Sequence, residues 1–280
     1  MGLSLAAVLA GAEPGHHVML IGRRAGSSDP VRGPGDVPRL AGIPGRPPAG
    51  ACVVIAVPDG AVRGVALDLA AAGSAEASCT ALHLSGALDS SALDVLRERG
   101  YAIGSLHPLQ TVADPASGAE RLREAFFSFE GEPVAREAAA EVVRAAGGHL
   151  LDLPPGSKGR YHAACVFASN YLVTCAAVAT RLMATAVGVE ERQAARALAP
   201  LWRGSIANLE RLGARRALTG PVARGDVATV KANLSELSGT DRELYRQLAL
   251  AALELASGDL PAERRAALQD VLTGEGQARE

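Results

Sequence analysis

The first half of the chain alternates short apolar runs with helical periodicity, and the second half shows helical periodicity alone. The runs that predict strands are residues 18–21, 51–57, 80–84, 102–106, 125–130 and 150–153. Helical patterns separate several of them, at 61–72, 91–99 and 134–146. Short buried strands that alternate with helices predict a parallel sheet and an α/β fold. The segment 25–48, which is rich in Gly and Pro, is predicted to be an irregular connection.

From Lys158 onward the sequence predicts no strand. Helical patterns occupy 158–187, 189–212, 225–237, 241–256 and 261–273. Pro154-Pro155-Gly156 interrupts the chain just before the first of them. We therefore predict two domains, an α/β domain over residues 1–153 and an all-helical domain over residues 154–280.

Composition excludes several classes of function. The formal net charge is −2 over 280 residues, so no basic excess is available to neutralise nucleic-acid phosphates or anionic membrane surfaces. The four cysteines lie in apolar runs without a C-x-x-C pair, which predicts buried thiols in a reducing compartment and no metal site. The apolar stretch 163–180 contains Ser, Asn and Thr, and a buried core helix is favoured over a membrane span. We expect a soluble, cytoplasmic protein.

The N-terminus resembles part of a dinucleotide-binding unit. Gly2 opens a helix and fits the last glycine of G-x-G-x-x-G, and the next predicted strand ends about 20 residues later. The first strand and the first two glycines of that unit are absent. That strand would lie mid-sheet, between the strands that end at Gly22 and before Pro58. We expect a start that is truncated or misassigned, with an ordinary helix as the alternative.

Side chains at the carboxyl ends of the predicted strands suggest the cofactor. Arg23 and Arg24 stand where an NAD-binding domain places an acidic residue, and arginines suit the 2′-phosphate of NADP. Val57, Pro58 and Ser85 follow neighbouring strands, at the edge where open α/β sheets bind ligands. These residues predict an NADP(H) site, although two arginines in a loop could equally be solvated.

Lysine is almost absent from this sequence. Lys158 is one of two lysines, against 26 arginines. A lysine ammonium can lose its proton when its surroundings change its pKa, whereas a guanidinium in effect cannot. Lys158, His162 and Ser169 share one face of the predicted helix at about 100° per residue, with Asn170 beside them. This face predicts acid–base chemistry, with a structural hydrogen-bond network as the alternative.

Two further segments carry polar side chains. His107 follows a predicted strand at the ligand edge, within Gly104–Gln110, and it either lines a cleft or only caps the strand. Thr219 and Arg224 lie in a turn between two helices, Leu218–Asp226. Arg224 could bind a substrate carboxylate through two hydrogen bonds, and a solvated arginine in a turn is the alternative.

Three motifs together resemble one known family. They are Ser105-Leu106-His107-Pro108-Leu109-Gln110, Tyr161-His162-Ala163-Ala164 with Ala168-Ser169-Asn170-Tyr171, and Leu218-Thr219-Gly220-Pro221-Val222-Ala223-Arg224-Gly225-Asp226. They are similar to bacterial Rossmann-like proteins that carry a C-terminal helical domain of unknown function. That family is grouped with pyrroline-5-carboxylate reductase, ketopantoate reductase and 6-phosphogluconate dehydrogenase-like enzymes. Related hydroxyacid dehydrogenases carry Lys-x-x-x-Asn, and here His162 replaces that Asn.

The resemblance implies an NADP-dependent oxidoreductase, of the class that acts on CH–OH groups. We expect reduction of a small 2-oxo acid, with ketopantoate as the first candidate. Lys158 or His162 would protonate the forming alkoxide, Asn170 and Ser169 would orient the carbonyl, and Arg224 would hold the carboxylate. His107 and Thr219 would line the cleft. The alternatives are an imine reductase and a nucleotide-binding protein without turnover, and related reductases imply a homodimer.

Overall fold

The computed structural model describes residues 1–12, 17–22, 37–43, 45–112 and 115–274. The strands are β1 (Leu20–Gly22), β2 (Arg39–Ala41), β3 (Cys52–Ile55), β4 (Thr80–His83), β5 (Ala102–Pro108), β6 (Phe126–Gly131) and β7 (His149–Asp152). The first helices are α1 (Gly2–Ala10), α2 (Asp59–Ala71), α3 (Asp94–Arg97), α4 (Pro115–Leu122), α5 (Pro133–Ala145) and α6 (Lys158–Val166). A π-helical turn, Phe167–Tyr171, then leads into α7 (Leu172–Val187).

The remaining helices are α8 (Glu191–Leu212), α9 (Ala214–Ala217), α10 (Pro221–Arg224), α11 (Val227–Glu236), α12 (Gly239–Ala256) and α13 (Ala262–Thr273). The chain forms two compact units, Met1–Tyr171 and Leu172–Glu280. The predicted domain boundary at 153/154 lies 18 residues before this division, and it stays a prediction. Every strand of the described chain lies in the first unit. The described part of the chain after Lys158 contains helices and no strand, as predicted.

The main sheet has five strands in the order β3-β4-β5-β6-β7. Three of its four pairings are parallel, which confirms the predicted α/β class with a mostly parallel sheet. The pairing of β5 with β6 is the antiparallel exception. An apolar run buried on both faces gives the same sequence pattern in either direction, and many parallel sheets include an antiparallel strand.

A separate two-stranded sheet holds β1 and β2, which pair in parallel. The residues of β2 were predicted to be part of an irregular connection, and this prediction is wrong. In the described part of the chain β1 and β3 lie in separate sheets, whereas the sequence predicted one sheet with a missing strand between them. The edge position of β3 also explains why Cys52 is exposed rather than buried as predicted.

Helices cover both faces of the main sheet. Alternate side chains of β4 divide between two apolar clusters, with Ala81 in one and Leu82 in the other. Side chains of α2 and α3 complete the cluster that contains Ala81, and those of α1 and α5 complete the cluster that contains Leu82. Burying one large aliphatic side chain contributes about 1.5–3 kcal/mol, so these two clusters fix the position of the central strands.

Two helical predictions need correction. The predicted helix 91–99 is a 3-10 turn, Ser90–Leu93, followed by the four residues of α3. The Asp89 side chain accepts a hydrogen bond from the Ser91 backbone N–H and thereby starts the turn early. The short helices α4 and α9 were not predicted, since four to eight residues show too little periodicity.

The second unit has its own apolar cluster, formed by side chains of α10 to α13. Its members are Val222, Val230, Leu234, Ala249, Leu253, Leu268 and Leu272. Asp226 caps α11, because its carboxylate accepts from the Thr229 backbone N–H.

One helix of the described chain, Lys158–Val187, has the length and composition of a membrane span, with a mean hydropathy of 1.6 in its most apolar window. Only 6% of that window is buried within the chain, so the prediction that it is a buried core helix is wrong for the single chain.

Candidate functional site

Lys158 is the first residue of α6, and the first unit buries it. Only 4% of the residue is exposed. Its Nζ atom donates a hydrogen bond of 2.6 Å to the Ser105 hydroxyl of β5. It also lies 5.5 Å from the centre of the Tyr161 ring, a cation–π contact. Lys158 is therefore not a solvated surface lysine.

Burial changes the acid–base behaviour of Lys158. Desolvation of the ammonium lowers its pKa from 10.5 to about 8, against the opposing effects of Glu130, Cys165, Asp89 and Asp59. An amine with this pKa holds a proton at neutral pH and can release it to a stronger base. Lys158 therefore has the properties of a general acid that works near neutral pH.

His107 and Tyr161 form the second pair of the site. His107 Nδ1 lies 2.7 Å from the Tyr161 hydroxyl oxygen, and the two rings meet edge to face with centres 5.7 Å apart. Burial lowers the pKa of His107 to about 4, helped by the positive charges of Lys158 and His162. Burial also raises the pKa of Tyr161. Both groups are therefore uncharged at neutral pH and act as hydrogen-bonding groups.

Gly86, which follows β4, allows two histidine rings to approach the backbone. A Cβ at Gly86 would lie 2.8 Å from His162 Nδ1 and 2.9 Å from His107 Nε2. His162 Nδ1 is itself buried and has no hydrogen-bond partner among the described residues. Leaving such a buried nitrogen unpaired costs about 1–3 kcal/mol. An unpaired buried nitrogen is typical of a group that binds a ligand atom or a water molecule.

His83, the last residue of β4, is fully buried and holds the segment after that strand. The Ser85 backbone N–H donates to His83 Nδ1 at 3.2 Å, so His83 Nε2 carries the proton and donates to the Asp89 carbonyl at 2.9 Å. Burial lowers the pKa of His83. A neutral imidazole with one tautomer thus fixes the segment that carries Gly86.

The structure brings together several of the predicted residues. Lys158, His107 and His162 meet in the first unit, beside the segment that begins at Ser85. Ser105, Tyr161 and Gly86 were not predicted as site residues, although all three lie in or beside motifs that the sequence singled out. Ser105 lies within β5, Gly86 follows β4 and Tyr161 lies in α6, so no single sequence signal marks the three.

Ser169 and Asn170 lie in the π-helical turn, about three turns beyond Lys158. A π turn winds more widely than an α-helix. The spacing of 100° per residue, on which the predicted common face depends, therefore does not hold throughout the segment from Lys158 to Ser169. Asn170 is exposed and has contacts of its own. Their roles at the carbonyl stay predictions.

Other predicted residues lie elsewhere. Thr219 and Arg224 belong to the second unit, where both are exposed and Arg224 ends α10. Its carbonyl accepts a hydrogen bond from Arg264. Arg23 and Arg24 lie outside the described residues.

The predicted cofactor residues at the sheet edge partly fit a dinucleotide. A Cβ at Gly2 would lie 2.6 Å from the Ala56 side chain, so α1 begins directly against the carboxyl end of β3. Pro58 caps the 13-residue helix α2, after the half-exposed Val57. Two helix N-termini at one sheet edge favour negatively charged phosphates.

The comparisons agree with this architecture. Residues 125–252 match a protein family described as a domain of unknown function, DUF2520. No curated protein matches the sequence.

Several solved structures share the fold. A protein from Thermotoga maritima is 26% identical, with a TM-score of 0.62 over 76% of this chain and 80% of that chain. A candidate NADP oxidoreductase from Bacteroides fragilis is 17% identical, with a TM-score of 0.67 over 89% of this chain and 92% of that chain. A pyrroline carboxylate reductase from Plasmodium falciparum, solved with NADP bound, is 12% identical, with a TM-score of 0.53 over 98% and 92%.

These matches confirm the resemblance that the motifs indicated. The chain has a Rossmann-like fold, its fold neighbours include proteins named as NADP oxidoreductases, and its residues 125–252 match the domain of unknown function DUF2520.

Proposed function

We propose that this protein is an NADP-dependent oxidoreductase that reduces the carbonyl group of a small 2-oxo acid. The observation that carries the proposal is the buried ammonium of Lys158, which Ser105 holds in the same site as the uncharged His107. The NADP-linked fold neighbours support the cofactor, and the glycine that begins α1 against β3 supports its place.

The residues of the chain have distinct tasks in this reaction. A bound nicotinamide would supply the hydride to the carbonyl carbon. Lys158 Nζ gives a proton to the carbonyl oxygen and stabilises the negative charge that develops there. His107 stays uncharged, and together with Tyr161 it orients the substrate by hydrogen bonding. His162 offers its unpartnered Nδ1 atom to the same ligand. We retain Ser169 and Asn170 as carbonyl-orienting residues and Arg224 as the carboxylate ligand.

We choose Lys158 over His162 as the proton donor because Lys158 is a buried cation with N–H groups to spare. Lys158 is a buried cation at neutral pH, and among the described residues its one hydrogen-bond acceptor is Ser105, so N–H donors remain for a ligand. A carbonyl needs such a donor more than an imine does, because an imine substrate arrives protonated. The buried ammonium therefore favours the 2-oxo acid over a cyclic imine such as pyrroline-5-carboxylate.

The test is a comparison of substrates. Purified protein is mixed with NADPH and, separately, with ketopantoate, with other small 2-oxo acids and with a cyclic imine, and the loss of NADPH is followed by absorbance. We expect turnover of at least one 2-oxo acid and weaker turnover of the imine. Faster turnover of the imine would assign the chain to imine reduction. NADPH binding without oxidation by any of these compounds would indicate a nucleotide-binding protein instead.

We also propose a homodimer that assembles through apolar helices. Val173 and Val187 of α7 and Leu201 of α8 are each more than 60% exposed. Exposed apolar side chains on helices are characteristic of surfaces that another protein or a membrane covers. Light scattering after gel filtration should give twice the monomer mass, and a monomer that binds vesicles would contradict the dimer. A cytoplasmic location is part of the same proposal.

A further inference from the structure

Three side chains form a polar row across the middle of the main sheet. His83 of β4 pairs with Ser105 of β5, and Ser105 pairs with Glu130 of β6. Directly paired residues project from the same face of a sheet, with Cβ atoms about 5 Å apart. Glu130 is the one carboxylate of this polar row, and Lys158 contacts the member at its centre.

Each member of the polar row also holds the segment 85–90. Glu130 accepts hydrogen bonds from the Ser90 backbone N–H at 2.7 Å and from the Ser90 hydroxyl at 2.9 Å. His83 binds the backbone at both Ser85 and Asp89. The Ser105 hydroxyl donates to the Ser85 carbonyl at 3.3 Å. The geometry of Lys158 and that of the segment beside Gly86 thus depend on the same row.

Lys158 makes no ion pair in the described part of the chain. Its charge is therefore balanced at longer range, by groups on several elements. The titratable and charged groups that act on Lys158 or contact it are Asp59 of α2, His83 of β4, Asp89 before the 3-10 turn, His107 of β5, Glu130 of β6, and Tyr161 and Cys165 of α6. Among the acidic groups Glu130 has the largest effect.

We infer that Glu130 is a positioning residue, which keeps the proton on the buried Lys158 ammonium by its negative charge and anchors the segment 85–90 through Ser90. Glu130 touches neither substrate nor cofactor in this role. The inference rests on the proposed task of Lys158, because an ammonium that lost its proton below neutral pH could not serve as an acid. Without Glu130, desolvation would lower the pKa of Lys158 further.

The two lysines of the chain make a direct test feasible. Protein labelled with ¹⁵N-lysine gives one Nζ signal from Lys158 and one from the exposed Lys231, and the variant Lys158→Arg assigns them. The pKa of Lys158 is then read from the pH dependence of its signal. We expect a midpoint near 8 in the wild type. In Glu130→Gln we expect a fall of about one unit, at the low end of the roughly 1–3 units that a nearby opposite charge produces.

A matched control is available two residues along the chain. Glu132→Gln removes the same charge, but Glu132 binds Arg97 and the Ile103 backbone N–H and does not act on Lys158. The Lys158 midpoint should therefore stay at the wild-type value in this control. An unchanged midpoint in folded Glu130→Gln, or an equal fall in the control, would overturn the inference.

A second variant covers the case in which Glu130→Gln fails to fold. Ser90→Ala keeps the Glu130 carboxylate but removes the Ser90 hydroxyl, which donates a hydrogen bond to it and so offsets part of its negative charge. The pKa of Lys158 should then rise, and an unchanged value would count against the role of Glu130.

The lysine titration needs no substrate, so its outcome is independent of the proposed reaction. If a 2-oxo acid is turned over, the pH at which Glu130→Gln loses activity should move down together with the Lys158 midpoint. A shifted midpoint in a protein without turnover would support Glu130 and refute the reductase. Turnover of a 2-oxo acid with an unshifted Lys158 midpoint would support the reductase and refute the role of Glu130.

Discussion

The buried cation of the first unit and the exposed cations of the second unit differ in chemistry as well as position. Arg181 and Arg215 pair with Asp241 and Asp259 at 2.7–3.1 Å, and each guanidinium is about half exposed. Lys158 is buried, has no ion pair among the described residues and rests on a serine hydroxyl. Arginine holds its proton in both surroundings. A chain that uses arginine for surface charge has thus placed a lysine where loss of a proton matters.

The largest effect should follow from removing the ammonium itself. Lys158→Met should lower turnover of the preferred 2-oxo acid by roughly 10²–10⁴-fold, the contribution of a general acid. NADPH affinity, measured by fluorescence titration, should change little. Lys231→Met is the control, since it removes an exposed lysine of the second unit. Full activity in Lys158→Met would remove this residue from the mechanism.

Stability should show the cost of burying Lys158. Its pKa is 10.5 in the unfolded chain and about 8 in the folded protein, a difference worth about 3 kcal/mol. Below pH 8 both states are protonated and the cost is complete. Between pH 8 and 10.5 the unfolded state binds more protons, so stability rises with pH.

Urea denaturation of the wild type and of Lys158→Met, at steps from pH 7 to 10.5, checks this. We expect the free energy of unfolding of the wild type to rise by about 3 kcal/mol relative to that of the variant over this range. Parallel curves would show that the lysine is not desolvated in solution.

Gly86→Ala tests the close approach of the two histidines. The added methyl group would meet His162 Nδ1 and His107 Nε2 at less than 3 Å, so both rings must move. We expect a loss of about 1–3 kcal/mol in stability, as for overpacked sites, and a clear loss of turnover. Gly64→Ala is the control, because it lies in α2 with open space around it and should stabilise the helix by up to about 1 kcal/mol.

Tyr161→Phe should have a smaller effect. It removes the hydroxyl partner of His107 Nδ1 but keeps the ring over Lys158. An unpaired buried nitrogen costs about 1–3 kcal/mol, and KM should rise more than kcat falls if this pair orients the substrate. Unchanged stability and kinetics would show that the pair is not formed in solution.

The smallest effect is expected for the exposed ion pairs. Arg215→Ala breaks the contact with Asp259, and both side chains are more than half exposed. Such pairs are screened by solvent and contribute little. The urea midpoint should stay within experimental error of the wild type, and a large loss would break the distinction between the two regions.

Local sequence patterns predicted most of the fold. The apolar runs located every strand of the main sheet, and the periodicity after Lys158 located the long helices. The direction of β6 could not be predicted, because pairing depends on the path of the chain rather than on local residues. Glu130 was missed for the same reason, since only the antiparallel register places it beside Ser105.

The site was predicted in part. Lys158 and His107 were found because a rare lysine begins α6 and a histidine lies at the end of β5, and His162 because it lies one helical turn after Lys158. Ser105 and Tyr161 lie in the same motifs, yet neither residue type is unusual, and their roles become visible only through contacts across 53 and 54 residues of sequence. The π turn after Val166 was also not predicted, since it leaves no clear pattern in residue types.

The dependence of kcat/KM on pH tests proton donation by Lys158 most directly. For the wild type with its preferred 2-oxo acid and NADPH, we predict that kcat/KM falls above about pH 8, where the ammonium loses its proton. The residual activity of Lys158→Met should show no such fall. A wild-type profile that is flat through this range, or the same fall in both proteins, would contradict the account.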